Sequence, residues 1–243
     1  MTNLTTNTIE HNIRNNMLLK HGSPQFIDKI CKNSHTFQVP KNHIFFLREQ
    51  QAEHFYIVLH GWVKLFRESI DGNQAIIDVL TSGHIFGEGA LFENMIFPYS
   101  AEAVESMQLI RLPLLSLKNE IETNPKMSLA MLKSISKHKN QKNMELEHRT
   151  LQNAPQRIGC FLLKLLPKPE SKEAQDIQLP YDKTLVSSRL GMQPETFSRA
   201  LSKLKKEVNL EVKGGSITVT NVEKLTLFCC SACSTIFPCG DHE

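Results

Sequence analysis

Between Pro40 and Pro113 the chain runs in short stretches where apolar and polar residues alternate, the period of a strand with one buried face. "HFYIVLHGWVKLFRES" (54–69) alternates in this way, Asp71-Gly72-Asn73 reads as a tight hairpin turn, and "QAIIDVLTSG" (74–83) resumes the pattern. Gly61, Gly72, Gly83, Gly87 and Gly89 stand at the strand ends, where backbone freedom is needed. Strands this closely spaced predict a small barrel or sandwich.

After Pro125 the period changes. "KMSLAMLKSISKHKNQKNMELEHRTLQ" (126–152) predicts one long helix on which Met131, Leu132, Ile135, Leu146 and Leu151 form a buried stripe. Its centre holds His138, Lys139, Lys142 and Asn143, so the stripe is weak in the middle. The length favours a partner helix over packing on the chain's own domain. The expectation is a dimerisation helix that a bound effector could tighten. A break at Asn153 to Pro155 precedes a second helix, "QRIGCFLLKLL" (156–166), and a charged, proline-containing loop, "PKPESKEAQDIQ" (167–178), follows it.

The stretch from Asp182 to Asn221 parses as helix, turn at Gly191, helix and hairpin. Leu185, Val186 and Leu190 supply the apolar side of the first helix, and Pro194 suits the first turn of the second. Phe197, Leu201 and Leu204 recur at helical spacing and predict the buried side, which turns Glu195, Ser198, Arg199 and Ser202 outward. Gly214-Gly215 makes the wing hairpin. Arginine can donate two bonds to guanine, glutamate can accept from the cytosine amino group, and serine can bond a base or meet a thymine methyl. Lys203, Lys205 and Lys206 at the far end of the helix suit phosphate contacts.

The bulk numbers fit this division. With 243 residues, 40% hydrophobic and 22% charged, the chain is long enough for two cores, and a net charge of only +3 confines any nucleic-acid role to a local basic surface. The start, "MTNLTTNTIEHNIRNN", lacks the apolar segment of a signal peptide, and no apolar run is long enough to span a bilayer, so the expected location is cytoplasmic and away from membranes. No nucleophile motif, phosphate loop or H-E-x-x-H helix appears, and Ser187-Ser188 falls in the first helix of the DNA-binding pattern; an enzyme is not expected. The expected segments are N-terminal helices with a β-roll sensor (1–124), the dimerisation helix (125–153), a winged helix-turn-helix (154–227) and a cysteine-rich tail (228–243).

A β-roll containing "FGEGALF", a long helix, and "PETFSR" in a winged helix-turn-helix together resemble the Crp/Fnr family of bacterial transcription regulators, from about Phe37 to Leu227. The resemblance implies an α+β fold with a cyclic-nucleotide-binding-like roll, a homodimer, double-stranded promoter DNA as ligand and RNA polymerase as partner. Glu195, Ser198 and Arg199 match the E-x-x-S-R recognition pattern of the Fnr branch, which implies a TTGAT half-site in an inverted repeat. In the cyclic-AMP branch a Gly-Glu pair and an Arg-Ser pair grip the ribose and phosphate. Gly87, Glu88 and Ser100 are present here, but Tyr99 stands where the phosphate-binding arginine would be, and Lys142 and Asn143 replace the pair that meets the adenine. The reading is against cyclic AMP. "QAEHFYIVLHGWVKLFRE" and "LGMQPETFSR" also resemble the nitric-oxide-sensing, haem-binding denitrification regulators of the family, and His11, His21, His35, His43, His54, His60 and His84 offer axial ligands without a spacing that selects one.

The chain ends "FCCSACSTIFPCGDHE", in which Cys230, Cys233 and Cys239 give C-x2-C-x5-C beside Cys229, whereas Cys31 and Cys160 sit singly in apolar helical contexts as packed thiols. Three thiolates on one short flexible segment suit an iron–sulfur cluster or zinc. Oxygen-sensing Fnr proteins carry this spacing near the N-terminus around a [4Fe–4S] cluster, and Bacillus-type relatives carry a similar motif after the winged helix with a carboxylate from the dimer helix as fourth ligand. By that resemblance the expected cofactor is a [4Fe–4S] cluster, its fourth ligand open among Cys229, Asp241, His242, Glu145 and Glu147. Zinc on Cys230, Cys233, Cys239 and His242 is the alternative, and haem in the roll another. The expected function is a DNA-binding regulator answering a redox or gas signal, oxygen or nitric oxide. The alternatives are a haem-dependent sensor of the same family or a cyclic-nucleotide-like module with a structural zinc tail.

Overall fold

The computed structural model describes residues 2–168, 173–179 and 182–232, and the chain divides into two compact units, Met1–Lys137 and His138–Glu243. The first unit opens with helices α1 (Thr2–Asn15) and α2 (Pro24–Lys32), followed by eight strands, β1 (His35–Val39), β2 (Ile44–Phe46), β3 (His54–His60), β4 (Val63–Glu68), β5 (Gln74–Leu80), β6 (Ile85–Phe86), β7 (Ser100–Ala103) and β8 (Met107–Pro113). These build two antiparallel four-stranded sheets, β1-β8-β3-β6 and β2-β7-β4-β5, the predicted roll. The strands bury Phe55, Ile57, Val63, Leu65, Phe86, Ala101, Ala103, Leu109 and Leu112. The long alternating run at 54–69 is cut in two at Gly61, whose φ is +93° and where an added Cβ would lie 2.5 Å from the Met107 Cβ, so no side chain fits.

Helix α3 (Leu114–Thr123) closes the roll and holds α2 in place through one buried carboxylate. Glu120, only 7% exposed, accepts from the Ser23 amide (2.6 Å), the Ser23 hydroxyl (3.0 Å) and Asn124 Nδ2 (2.7 Å). Burying a carboxylate is tolerable only when its lone pairs are filled in this way.

Helix α4 (Pro125–Leu151) is the long helix expected from the sequence, but its buried residues differ from the predicted stripe. Met127 and Met131, four apart and so on one side, enter the core of the roll. The side left open carries Leu132 (63% exposed), Ile135 (45%) and Leu146 (60%), and Leu129 is uncovered as well. Met131 therefore leaves the stripe. Leu151 lies more than a quarter-turn away from it, by the 100° advance per helical residue.

In the second unit the last turns of α4 are followed by α5 (Ala154–Lys164), β9 (Gln175–Gln178), α6 (Lys183–Arg189), α7 (Pro194–Val208), β10 (Leu210–Lys213), β11 (Ser216–Val219) and α8 (Val222–Cys230). Asn153 caps α5 through a reciprocal box with Gln156. The segment read as a loop at 167–178 ends in a strand, because Ile177 pairs with Ile217 in a sheet of order β10-β11-β9 and both are buried. Among the described residues no helix is long and apolar enough to cross a membrane.

Helices α5 and α8 meet at a glycine. A Cβ on Gly159 would lie 2.3 Å from Cys229 Sγ and 3.0 Å from Leu225 Cδ1. Cys229 is 1% exposed and cannot swing away. Gly159→Ala is expected to destabilise this unit by about 1–3 kcal/mol, seen as a lower melting temperature, with part of the loss recovered when Cys229→Ala removes the sulfur. An unchanged melt in the single variant would contradict the close packing.

Candidate nucleic-acid interface and effector pocket

Helices α6 and α7 are joined by a turn at Gly191, whose φ of +64° favours glycine. Asp182 caps α6, accepting from the Leu185 amide at 2.8 Å, and Pro194 opens α7 where a proline's missing N–H costs nothing. Phe197, Ala200, Leu201, Leu204 and Val208 are buried and fix one side of α7 in the core with α5 and α8. The opposite side then points to solvent: Glu195, Ser198, Arg199, Ser202, Lys203, Lys205 and Lys206 are all exposed. Ser202 donates its hydroxyl to the Ser198 carbonyl at 2.9 Å, which leaves its oxygen only as an acceptor. The first turns thus carry groups able to bond base edges and the last turns carry cations, the order a helix needs when its N-terminal end enters a major groove.

In the roll, Gly87 adopts φ +89° and its amide donates to the Tyr99 hydroxyl at 3.2 Å. Ser100 is 5% exposed and its hydroxyl oxygen accepts from the Arg48 amide at 3.0 Å. The groups that would grip a phosphate are thus already bonded inside the protein. Burial, and secondarily the charge of Glu88, push the Tyr99 phenol far above its ordinary range, so it stays neutral and gives a phosphate no countercharge. Aromatic rings fill the space around it: Phe46 stacks on Phe97 at 3.6 Å between centroids, and Phe46 also neighbours Tyr56, Phe86 and Tyr99.

A third arrangement escaped the sequence reading. Arg189, the last residue of α6, donates from Nη2 to Glu145 Oε1 at 2.6 Å, and Lys142 Nζ lies 3.2 Å from Glu145 Oε2. Burial works to raise the Glu145 carboxyl, but the bonds and charges of Arg189 and Lys142 overcome it and hold the group below its usual range. One turn on, the Arg149 guanidinium lies against the turn itself, with Cζ 3.3 Å from where a Gly191 Cβ would be. The only hint in the sequence was the i, i+4 placement of Glu145 and Arg149 on a helix otherwise read for its apolar stripe.

A model of the cyclic nucleotide-binding domain matches residues 36–124, and a model of the Crp-like helix-turn-helix domain matches residues 156–228. The chain is 30% identical to a Ruegeria pomeroyi protein of solved structure, provisionally described as a cyclic nucleotide binding protein, over 92% of this chain and 97% of that one, with a TM-score of 0.64. The chain belongs to the Crp/Fnr family. This Crp/Fnr protein is 22% identical over 204 residues to the CRP-like cAMP-activated global transcriptional regulator of Mycobacterium tuberculosis, covering 83% of this chain and 91% of that one. It is 24% identical over 202 residues to the fumarate and nitrate reduction regulatory protein of Yersinia pestis, covering 82% and 79%. Both the domains and the relatives are those of DNA-binding transcription regulators, not of enzymes.

The cysteines of this regulator fall in two groups. Cys229 and Cys230 close α8 instead of opening a flexible segment, because Val222, Leu225 and Cys229 recur at helical spacing and are buried. Cys229 faces Gly159, whereas Cys230 is only half-buried. Cys233, Cys239, Asp241 and His242 lie outside the described residues. Glu145 has both carboxylate oxygens engaged, and Glu147 is exposed on α4. Among the described residues no group of three or more His, Cys, Asp or Glu side chains is placed to hold a metal ion. Of the histidines, His54 is pushed below its ordinary range by burial and then by the charge of Arg111, and the His84 Nδ1 sits 3.0 Å from the Thr81 carbonyl.

Arg199→Ala is expected to weaken binding to the operator by about 1–3 kcal/mol per half-site while leaving affinity for unrelated DNA nearly unchanged. Paired titrations at one salt concentration check it. An equal fall on both duplexes would make Arg199 a phosphate contact.

Proposed function

We propose that this regulator binds DNA as a homodimer, reads a TTGAT-type inverted repeat through Glu195, Ser198 and Arg199, and answers oxygen or nitric oxide through a [4Fe–4S] cluster held by Cys230, Cys233 and Cys239. The observation that carries the DNA-reading half is the exposure of that triad on the first turns of a helix whose other side is fully buried. The homodimer is supported by the uncovered Leu132, Ile135 and Leu146 on α4 and by the habit of the family. Target-bound regulator would then meet RNA polymerase at the promoter. The Yersinia pestis relative, named for fumarate and nitrate reduction, supports the choice of signal.

The donor set fits a thiolate-bound group in part. Cys230 is accessible at the end of α8, and it and its two partners span ten residues, short enough to close on one centre. Cys229 would have to leave the α5–α8 seam to serve as fourth ligand, and Glu145 would have to release Arg189 and Lys142. Glu147, exposed on α4, carries no such cost. A cluster, when bound, supplies reactivity toward oxygen and nitric oxide. The chain's own residues supply the thiolates and the helix end that carries them. Zinc on Cys230, Cys233, Cys239 and His242 is the second reading, since the same donors make a Cys₃His set. The internal bonds of Gly87, Tyr99 and Ser100 speak against cyclic AMP as effector.

The test is purification without oxygen, a visible spectrum, and assays for iron, sulfide, zinc and haem on wild type and on the Cys230→Ser, Cys233→Ser double variant. Wild type is expected to contain iron and sulfide with broad blue-edge absorption and to change DNA affinity on exposure to air; the variant is expected to lose both while the winged unit stays folded. Zinc without iron selects the second reading, a sharp Soret band selects haem in the roll, and a variant that answers air like wild type removes the tail as sensor.

A further inference from the structure

The pair formed by Glu145 and Arg189 has no part in base reading, and while it holds both Glu145 oxygens are engaged; it sits where α4 meets the reading motif. Glu145 and Arg149 lie on one side of α4, and the two ends they touch are those of the same turn: Arg189 closes α6 two residues before Gly191, and Arg149 rests on Gly191 itself. The side chains of Glu145 and Arg189 are 26% and 20% exposed, a partly dehydrated setting in which the two charges attract more strongly than in open water while each has given up hydration, so the pair fixes geometry more than it adds stability. Helices α4 and α6 are bridged by this ion pair. Lys142 completes the arrangement from the turn before, binding the second oxygen of the same carboxylate.

We propose that Glu145 is a positioning residue for DNA recognition: by holding Arg189 it fixes α6, the Gly191 turn and hence the start of α7 on the last turns of α4, and so sets the direction in which Glu195, Ser198 and Arg199 are presented. The inference rests on the reading role of α7. On a two-fold DNA site each recognition helix must meet its half-site at one angle, and a motif free to tilt on α4 loses specific contacts made by short side chains before it loses phosphate contacts made by lysines. The position of α4 then becomes information that α7 can express. An effector that shifts α4 acts on DNA through this carboxylate.

The experiment uses full-length protein and two duplexes, one selected by the wild type from a random pool and one scrambled, at a single salt concentration. Glu145→Gln and Arg189→Gln are each expected to reduce affinity for the selected duplex roughly tenfold, with unchanged affinity for the scrambled one, unchanged sedimentation mass and unchanged melting temperature. The double variant is expected to lose no more than either single one, because both remove the same link. Single variants that bind the selected duplex like wild type overturn the inference alone. Additive losses overturn it too, as does an equal loss on both duplexes, which would make Arg189 a phosphate contact, or a loss that follows a lower melting temperature. A wild type that selects no sequence overturns the reading role of α7 and this inference with it.

Discussion

The rest of the structure depends on one helix with two obligations. In the first unit α4 commits Met127 and Met131 to the roll, and in the second its Glu145 and Arg149 are engaged with the helix-turn-helix. The neighbouring side carries Leu132, Ile135, Lys139 and Leu146, all exposed among the described residues. A helix of 27 residues with a bare apolar edge interrupted by lysines is soluble enough alone and adhesive enough with a copy of itself. Lys142 belongs to both obligations, since it lies along the open edge and binds Glu145. Charge on the open edge keeps self-association adjustable, and the Glu145–Arg189 link gives an adjustment something to move.

In the roll, the residues at the family's nucleotide pocket are bonded to one another. Tyr99 bonds the Gly87 amide, Ser100 is taken by the Arg48 amide, and stacked aromatics occupy the space around them. A charged nucleotide would have to break these bonds.

Local pattern carried most of the architecture. The strands, the Asp71–Asn73 hairpin, the Gly191 turn, the wing and the exposed triad on α7 were all legible because each is set by spacing within a dozen residues or by a glycine at a positive φ. What stayed hidden depends on partners remote in the chain. Arg189 finds Glu145 across 44 positions, and Glu120 finds Ser23 across 97. Met131 matched the stripe by type, and only the presence of the roll core one side over decides that it turns inward. Cys229 read as a candidate fourth ligand beside the metal motif because cysteine is both a ligand and a small apolar residue, and its packing against Gly159 depends on a partner 70 positions away. The strand at Gln175–Gln178 was too short and polar to show a period, and it exists because β11 offers it an edge.

The central claim, that two chains joined along α4 read one two-fold DNA site, is tested most directly by native mass spectrometry of the protein on a duplex carrying a single inverted repeat of its selected half-site. The account predicts a complex of two chains per duplex that falls apart when Leu132 and Leu146 are both changed to Glu. One chain bound stably to the full repeat, or two chains bound unaffected by those changes, would contradict it.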